Sequence, residues 1–129
     1  MSDPAPKTAL VVDDDPDIRK IITTYLKRLG YEVRQVGNGR AAIKRLEEAR
    51  PSLLCIDLVL PESSGYDVCE HILKSEPLKG LPILMISART MPGDRAMAEE
   101  LGVKQYLFKP FTQAEFIEHV RKTVEGTLA

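Results

Sequence analysis

The chain has 129 residues, enough for one domain around a single buried core and too few for two. A formal net charge of -1 gives no general attraction to nucleic acid, and no apolar run is long enough to span a membrane. Two cysteines, Cys55 and Cys69, are too few for a disulfide framework and lack metal-ligand spacing, so a reducing cytoplasm is the expected setting.

Met1-Ser2-Asp3-Pro4-Ala5-Pro6 is not a signal peptide, and residues 1–7 read as a disordered leader. Ala9-Leu10-Val11-Val12 then reads as a strand covered on both faces. Asp15 supplies a helix N-cap, and Pro16 presets φ at the first helical position. Ile18, Ile21, Ile22, Tyr25, Leu26 and Leu29 recur at helical spacing until Gly30 ends the run. Residues 32–36 make a more polar strand, suited to a sheet edge. Gly37-Asn38-Gly39 is a tight turn into a second helix near residues 39–49. Leu53-Leu54-Cys55-Ile56 is again continuously apolar. A third helix is predicted near residues 65–75 and a fourth, apolar strand at Ile83-Leu84-Met85-Ile86. The fourth helix, near residues 93–101, has only a thin stripe of Ala96, Met97 and Leu101. Gln105-Tyr106-Leu107-Phe108 is a second edge-type strand. Thr112-Gln113-Ala114-Glu115 is a capping box ahead of Phe116, Ile117, Val120 and Val124 on a fifth helix. Five strands alternating with five helices through short connections imply an α/β fold, a doubly wound parallel sheet. The domain is expected over residues 8–126, with 127–129 as a tail.

In open parallel sheets, function gathers beyond the carboxyl ends of the strands. Those ends carry Asp13 and Asp14 after the first strand, Asp57 after the third, Ser87 after the fourth and Lys109 after the fifth. Three carboxylates brought together repel, and one ammonium does not balance them. A hard divalent cation is the natural remainder, and carboxylate oxygens with water are what Mg²⁺ accepts. A carboxylate beside a metal and a lysine can attack a phosphoryl group and form an acyl phosphate. The cation and Lys109 would neutralise the transferring oxygens, and Ser87 would hydrogen-bond one of them.

Four segments resemble the receiver domains of bacterial two-component signalling. They are Val11-Val12-Asp13-Asp14-Asp15-Pro16, Ile56-Asp57-Leu58-Val59-Leu60-Pro61 with Gly65, Ile86-Ser87-Ala88, and Phe108-Lys109-Pro110-Phe111. They occur in order, with family-like spacing, from about Lys7 to Glu125. The resemblance implies a flavodoxin-like strand order 2-1-3-4-5, with Asp57 as the phospho-acceptor. It makes Asp13 and Asp14 the acidic pair that holds Mg²⁺ together with Asp57 and the backbone carbonyl of Val59, Asp14 being the more direct ligand. Ser87 and Lys109 would hold phosphoryl oxygens, and Tyr106 would be an aromatic switch that turns inward with Ser87. The Lys109-Pro110 bond would be cis. A histidine kinase or histidine phosphotransfer protein would donate the phosphoryl group. Output would pass to a protein target through the fourth helix, fifth strand and fifth helix of a stand-alone regulator, a monomer or weak homodimer, with no nucleic acid or membrane contact. The resemblance implies no enzymatic role beyond self-directed phosphotransfer and autodephosphorylation. Ser stands at 87 where Thr is commoner, and Val59 and Arg89 occupy positions that tune dephosphorylation in the family.

Rival readings leave more residues without a purpose. Gly37-Asn38-Gly39-Arg40-Ala41-Ala42 matches a dinucleotide fingerprint, with Asp57 at the distance of a ribose contact. That fingerprint belongs to the first strand of its unit, however, and here a strand and helix precede it, so no cofactor-binding residue is assigned. A phosphatase of the haloacid dehalogenase type would need a second aspartate two positions after Asp57, where Val59 stands. A phosphorylation-independent module on the same fold would be expected to have lost an acidic residue or the lysine. Tyr106 has packing as its plainer explanation. His71 and His119 read as solvated or partly packed, Cys55 as a core residue, and Cys69 as packed or exposed.

Overall fold

Five short runs become parallel strands: β1 (Thr8–Val12), β2 (Glu32–Val36), β3 (Leu53–Ile56), β4 (Ile83–Ser87) and β5 (Gln105–Phe108). They form one sheet in the order β2-β1-β3-β4-β5, as expected. The three continuously apolar runs take the three interior places, where helices cover both faces, and the two polar runs take the edges. This computed structural model describes residues 6–89 and 91–125. The predicted tail and residues 1–5 of the predicted leader lie outside the described residues. Lys7, the last residue of that leader, donates to the Leu29 carbonyl (3.1 Å) and lies 5.0 Å from the Tyr31 ring centroid.

Successive side chains on a strand face opposite ways, and each set finds its own helices. Leu10, Val12, Leu54, Ile56, Ile83 and Met85 meet α2 (Gly39–Glu48), α3 (Gly65–Leu73) and α4 (Asp94–Glu100) through Ala42, Leu46, Val68, Ile72 and Ala98. Ala9, Val11, Leu53, Cys55, Leu84 and Ile86 meet α1 (Pro16–Arg28) and α5 (Gln113–Glu125) through Ile22, Leu26, Phe116 and Val120.

The predicted caps form. The Asp15 carboxylate accepts the Asp17 amide at 2.9 Å, and Thr112 and Glu115 bond each other's amides at 3.1 and 2.9 Å. Asn38 caps α2 through the Ala41 amide (2.8 Å), and Gly30, at φ 91°, follows α1. Two helices are shorter than predicted. α3 stops at Leu73; Ser75 is extended, and Glu76–Leu78, with Pro77 in its first turn, forms a separate 3-10 turn. α4 has seven residues; Gly93, at φ 88°, precedes it without a side-chain cap. A two-residue-per-strand hairpin, Val59–Leu60 with Ser63–Ser64, turns through Glu62 at φ 59° and was not predicted. No helix among the described residues is long and apolar enough to cross a membrane.

Candidate functional site

The sheet's own hydrogen bonds place the strand-end residues. Each extends the ladder one step past a regular strand: Asp13 N–H to Val36 (3.2 Å), Asp57 N–H to Val12 (2.9 Å) and Lys109 N–H to Ser87 (3.0 Å). Backbone that would otherwise be loop is therefore held at strand-like precision. Behind Asp57 the chain returns so closely that a Cβ on Gly65 would come 2.5 Å from the Asp57 carbonyl oxygen and 3.0 Å from Leu58 Cα. Only glycine fits there.

The side chains converge as the charges required. Lys109 Nζ lies 2.7 Å from Asp13 Oδ2 and 2.8 Å from Asp57 Oδ2. Asp13 is 1% exposed and Asp57 7%. Their second oxygens are also engaged: Asp13 Oδ1 accepts the Asp15 amide (2.9 Å), and Asp57 Oδ1 accepts the Val59 amide (3.1 Å). Exposed Asp14 completes a trio with Asp13 and Asp57 whose oxygens lie within 4.8 Å of one another. Burial raises the Asp13 carboxyl above its ordinary value against the pull of Lys109 and the Asp15 amide. Burial alone would lower the Lys109 ammonium, but its bonds to Asp13 and Asp57 outweigh that and raise it. Three carboxylates face one ammonium, and the donor set is all hard oxygen. That suits Mg²⁺ and not a thiolate- or imidazole-seeking metal.

Ser87 closes β4 beside Lys109; it is 1% exposed, and its Oγ accepts the Arg89 amide (3.2 Å). Tyr106 is buried, and its hydroxyl donates to the Arg89 carbonyl (2.9 Å). Burial raises its phenol, with the nearby Ser87 hydroxyl pulling the other way. Packing and an inward-turned aromatic thus coincide in one placement. The Lys109-Pro110 bond is cis, as the resemblance implied.

The sequence matches the response regulator receiver domain family over residues 9–121. The chain belongs to that family. It is 36% identical over 115 residues to the transcriptional regulatory protein GltR of Pseudomonas aeruginosa, and 38% identical over 112 residues to the DNA-binding response regulator MtrA of Mycolicibacterium smegmatis. These alignments cover 89% and 87% of this chain, which spans about half the length of those curated relatives (48% of each). Among solved structures it resembles the chemotaxis response regulator CheY4 of Vibrio cholerae (TM-score 0.86, 26% identity, 92% of this chain and 99% of that one). It also resembles the receiver domain of a sensor histidine kinase from Pseudomonas aeruginosa, which has a magnesium ion coordinated in its active site cleft. There the TM-score is 0.81 and the identity 32%, over 92% of this chain and 98% of that one. The chain is therefore a receiver domain of two-component response regulators, a module that is phosphorylated on aspartate.

Within this receiver domain, sequence reasoning missed three participants. Arg19 donates to the Asp13 carbonyl at 2.7 Å, tying α1 to the acidic loop. Tyr66 and Asp94 pair at 2.7 Å behind the site. None lies in a chemical motif; Asp94 reads only as an acidic residue at a helix start. The dinucleotide-like glycines have a packing explanation, since a Cβ on Gly39 would fall against Ser63 Oγ. His71 lies 3.5 Å from Glu47, and His119 Nδ1 lies 2.8 Å from the Glu115 carbonyl. Both cysteines are free and buried; burial pushes the Cys69 thiol up to about 12 and the Cys55 thiol higher.

Proposed function

We propose that Asp57 is the phospho-acceptor of a receiver domain spanning residues 8–126, with a histidine kinase or histidine phosphotransfer protein as donor. The observation that carries this reading is the Lys109 ammonium shared between Asp13 and Asp57, at 2.7 and 2.8 Å, beside the three-carboxylate cluster. An Asp57 carboxylate oxygen attacks the phosphorus of a phosphohistidine. The P–N bond breaks, its electron pair passes to the donor imidazole, and an acyl phosphate forms. Asp13, Asp14, Asp57 and the Val59 carbonyl would hold Mg²⁺, which supplies charge neutralisation for the transferring oxygens when bound. Lys109 fixes Asp57 and stabilises phosphoryl charge, and Ser87 donates its hydroxyl proton to a phosphoryl oxygen.

The product is a signal, not a turned-over substrate. Phosphoryl contacts present in only one state shift the equilibrium toward that state. Output passes by protein contact through the face of α4, β5 and α5, where Met97 and Phe108 are exposed. The receiver unit itself contacts no nucleic acid. A small acyl phosphodonor with Mg²⁺ should label the wild-type chain with phosphate that is labile to acid and to alkali, and leave Asp57→Asn unlabelled. Equal labelling of the two would overturn the assignment.

A further inference from the structure

Asp94 is a buried carboxylate that the phosphorylation chemistry does not use. Its side chain is 8% exposed, at the first position of α4, and an unpaired carboxylate there would be costly. It is fully engaged instead. Oδ1 accepts the Tyr66 hydroxyl (2.7 Å), and Oδ2 accepts Arg89 Nε (3.0 Å) and the Met91 amide (3.1 Å). The Tyr66 hydroxyl lowers the Asp94 carboxyl most, burial opposes it, and Arg89 lowers it further, so the group is an anion at neutral pH. This clasp is short of apolar support, since Asp94 and Ala98 are the buried residues of α4.

The clasp joins groups that belong to the site. Tyr66 follows Gly65, the residue packed on the Asp57 carbonyl. Arg89 gives its amide to Ser87 Oγ and takes the Tyr106 hydroxyl on its carbonyl. A chain of contacts therefore runs from the Asp57 backbone through Gly65 and Tyr66 of α3 to Asp94, and on through Arg89 to Ser87 and Tyr106.

We propose that Tyr66, Asp94 and Arg89 form a latch that positions the segment after β4, holding the Ser87 hydroxyl in place and Tyr106 inward. The latch acts on Ser87 and Tyr106 through the Arg89 backbone. Tyr106 stays buried because its acceptor, the Arg89 carbonyl, is held by a side chain pinned to Asp94. Its effect on the site rests on the reading that Asp57 is the phospho-acceptor.

Tyr66→Phe and Asp94→Asn break the clasp while keeping shape. The four tyrosines, labelled with 3-fluorotyrosine and assigned by single Phe substitutions, report the Tyr106 environment by fluorine NMR. In the free protein both variants should move the Tyr106 resonance toward that of exposed tyrosine. Each should weaken binding of beryllofluoride with Mg²⁺ about five- to tenfold, the low end of coupling between linked sites. In a Tyr106→Phe background each should weaken it less than in the wild type, because the Tyr106 arm of the latch is already gone and only the Ser87 arm remains. An unmoved Tyr106 resonance in both variants overturns the latch, as does full additivity with Tyr106→Phe. If the wild type itself ignores beryllofluoride, the phospho-acceptor reading falls; the free-protein spectra then still decide whether the latch holds Tyr106.

Discussion

Gly65→Ala sets two physical effects against each other, and the structure says which wins. Gly65 is the first residue of α3, and alanine is favoured over glycine in a helix by about 1 kcal/mol, so propensity alone predicts stabilisation. The new methyl would sit 2.5 Å from the Asp57 carbonyl oxygen and 3.0 Å from Leu58 Cα. Both obstacles are backbone, and the Asp57 amide is tied to Val12, so neither can rotate away. Forcing a methyl into filled space costs about 1–3 kcal/mol, and the inability to relax places this site at the upper end. After the helix gain, a net loss of about 1–2 kcal/mol remains. For a chain of this length that is a fall of about 4–8 °C in Tm, read by calorimetry or circular dichroism. Gly39→Ala is the internal control. It has the same helix position, but its obstacle is the Ser63 hydroxyl, a side chain on one rotatable bond. Gly65→Ala should be the less stable of the two and the slower to label from a phosphodonor, because its strain lands on Asp57. A Tm at or above wild type for Gly65→Ala would refute the close-approach argument.

Mg²⁺ at about a hundred times its Kd should stabilise the chain by about 2.7 kcal/mol. Thermal melts should show a rise reversed by chelation and largely lost in Asp14→Ala; an equal rise in that variant would remove Asp14 from the ligand set. Lys109 has its pKa raised on folding, so its stabilising contribution is fully present below its ordinary value of 10.5 and is lost as pH rises through the folded value. Denaturant titrations carried upward from about pH 10 should therefore show a shallower alkaline loss in Lys109→Met than in wild type. Asp13 is also raised, so its contribution is fully present below 3.8 and lost as pH rises through the folded value. Asp13→Asn should accordingly weaken the Mg²⁺ response without a matching loss of metal-free stability, checked by melts in chelator. Phe116→Ala removes a fully buried ring that lies 5.7 and 5.8 Å from Tyr25 and Phe111. It should cost about 3–5 kcal/mol by denaturant unfolding.

The architecture was legible because it is written in periodicities that burial enforces. Continuous apolar runs at residues 9–12, 53–56 and 83–86 demanded cover on both faces, and capping residues such as Asp15 and Thr112 are local devices needing no distant partner. The strand ends were legible for a related reason: a parallel sheet gathers its carboxyl ends on one edge, so Asp13, Asp57 and Lys109 had to be neighbours once the order was known. What escaped was set by contacts between distant segments. The Val59–Leu60 hairpin has two-residue strands and no alternation long enough to signal them. Tyr66 and Asp94 are separated by 28 residues, and neither residue type announces its partner. Cys69 could be read as packed or exposed until the direction of α3 was known.

The pairing geometry also bears on how a phosphoryl group would change the molecule. Lys109 is already bonded to Asp57 in the free chain, at 2.8 Å, and to Asp13 at 2.7 Å. Converting Asp57 to an acyl phosphate removes the charge from its carboxyl oxygens and places negative charge on phosphoryl oxygens a bond or two away. Lys109 then exchanges one anion for another, with Asp13 holding it throughout, so its interaction differs little between the two states. Ser87 is different. Its Oγ accepts the Arg89 amide and its hydroxyl faces Tyr106, and a phosphoryl oxygen is a stronger acceptor for that proton that only the modified state offers. A ligand shifts an equilibrium only by the difference in its contacts between states. On the proposed reading, the hydroxyl of Ser87 contributes more of that difference than the stronger charge of Lys109, and Arg89, bonded to both Ser87 and Tyr106, is the residue through which it reaches the α4 and β5 face.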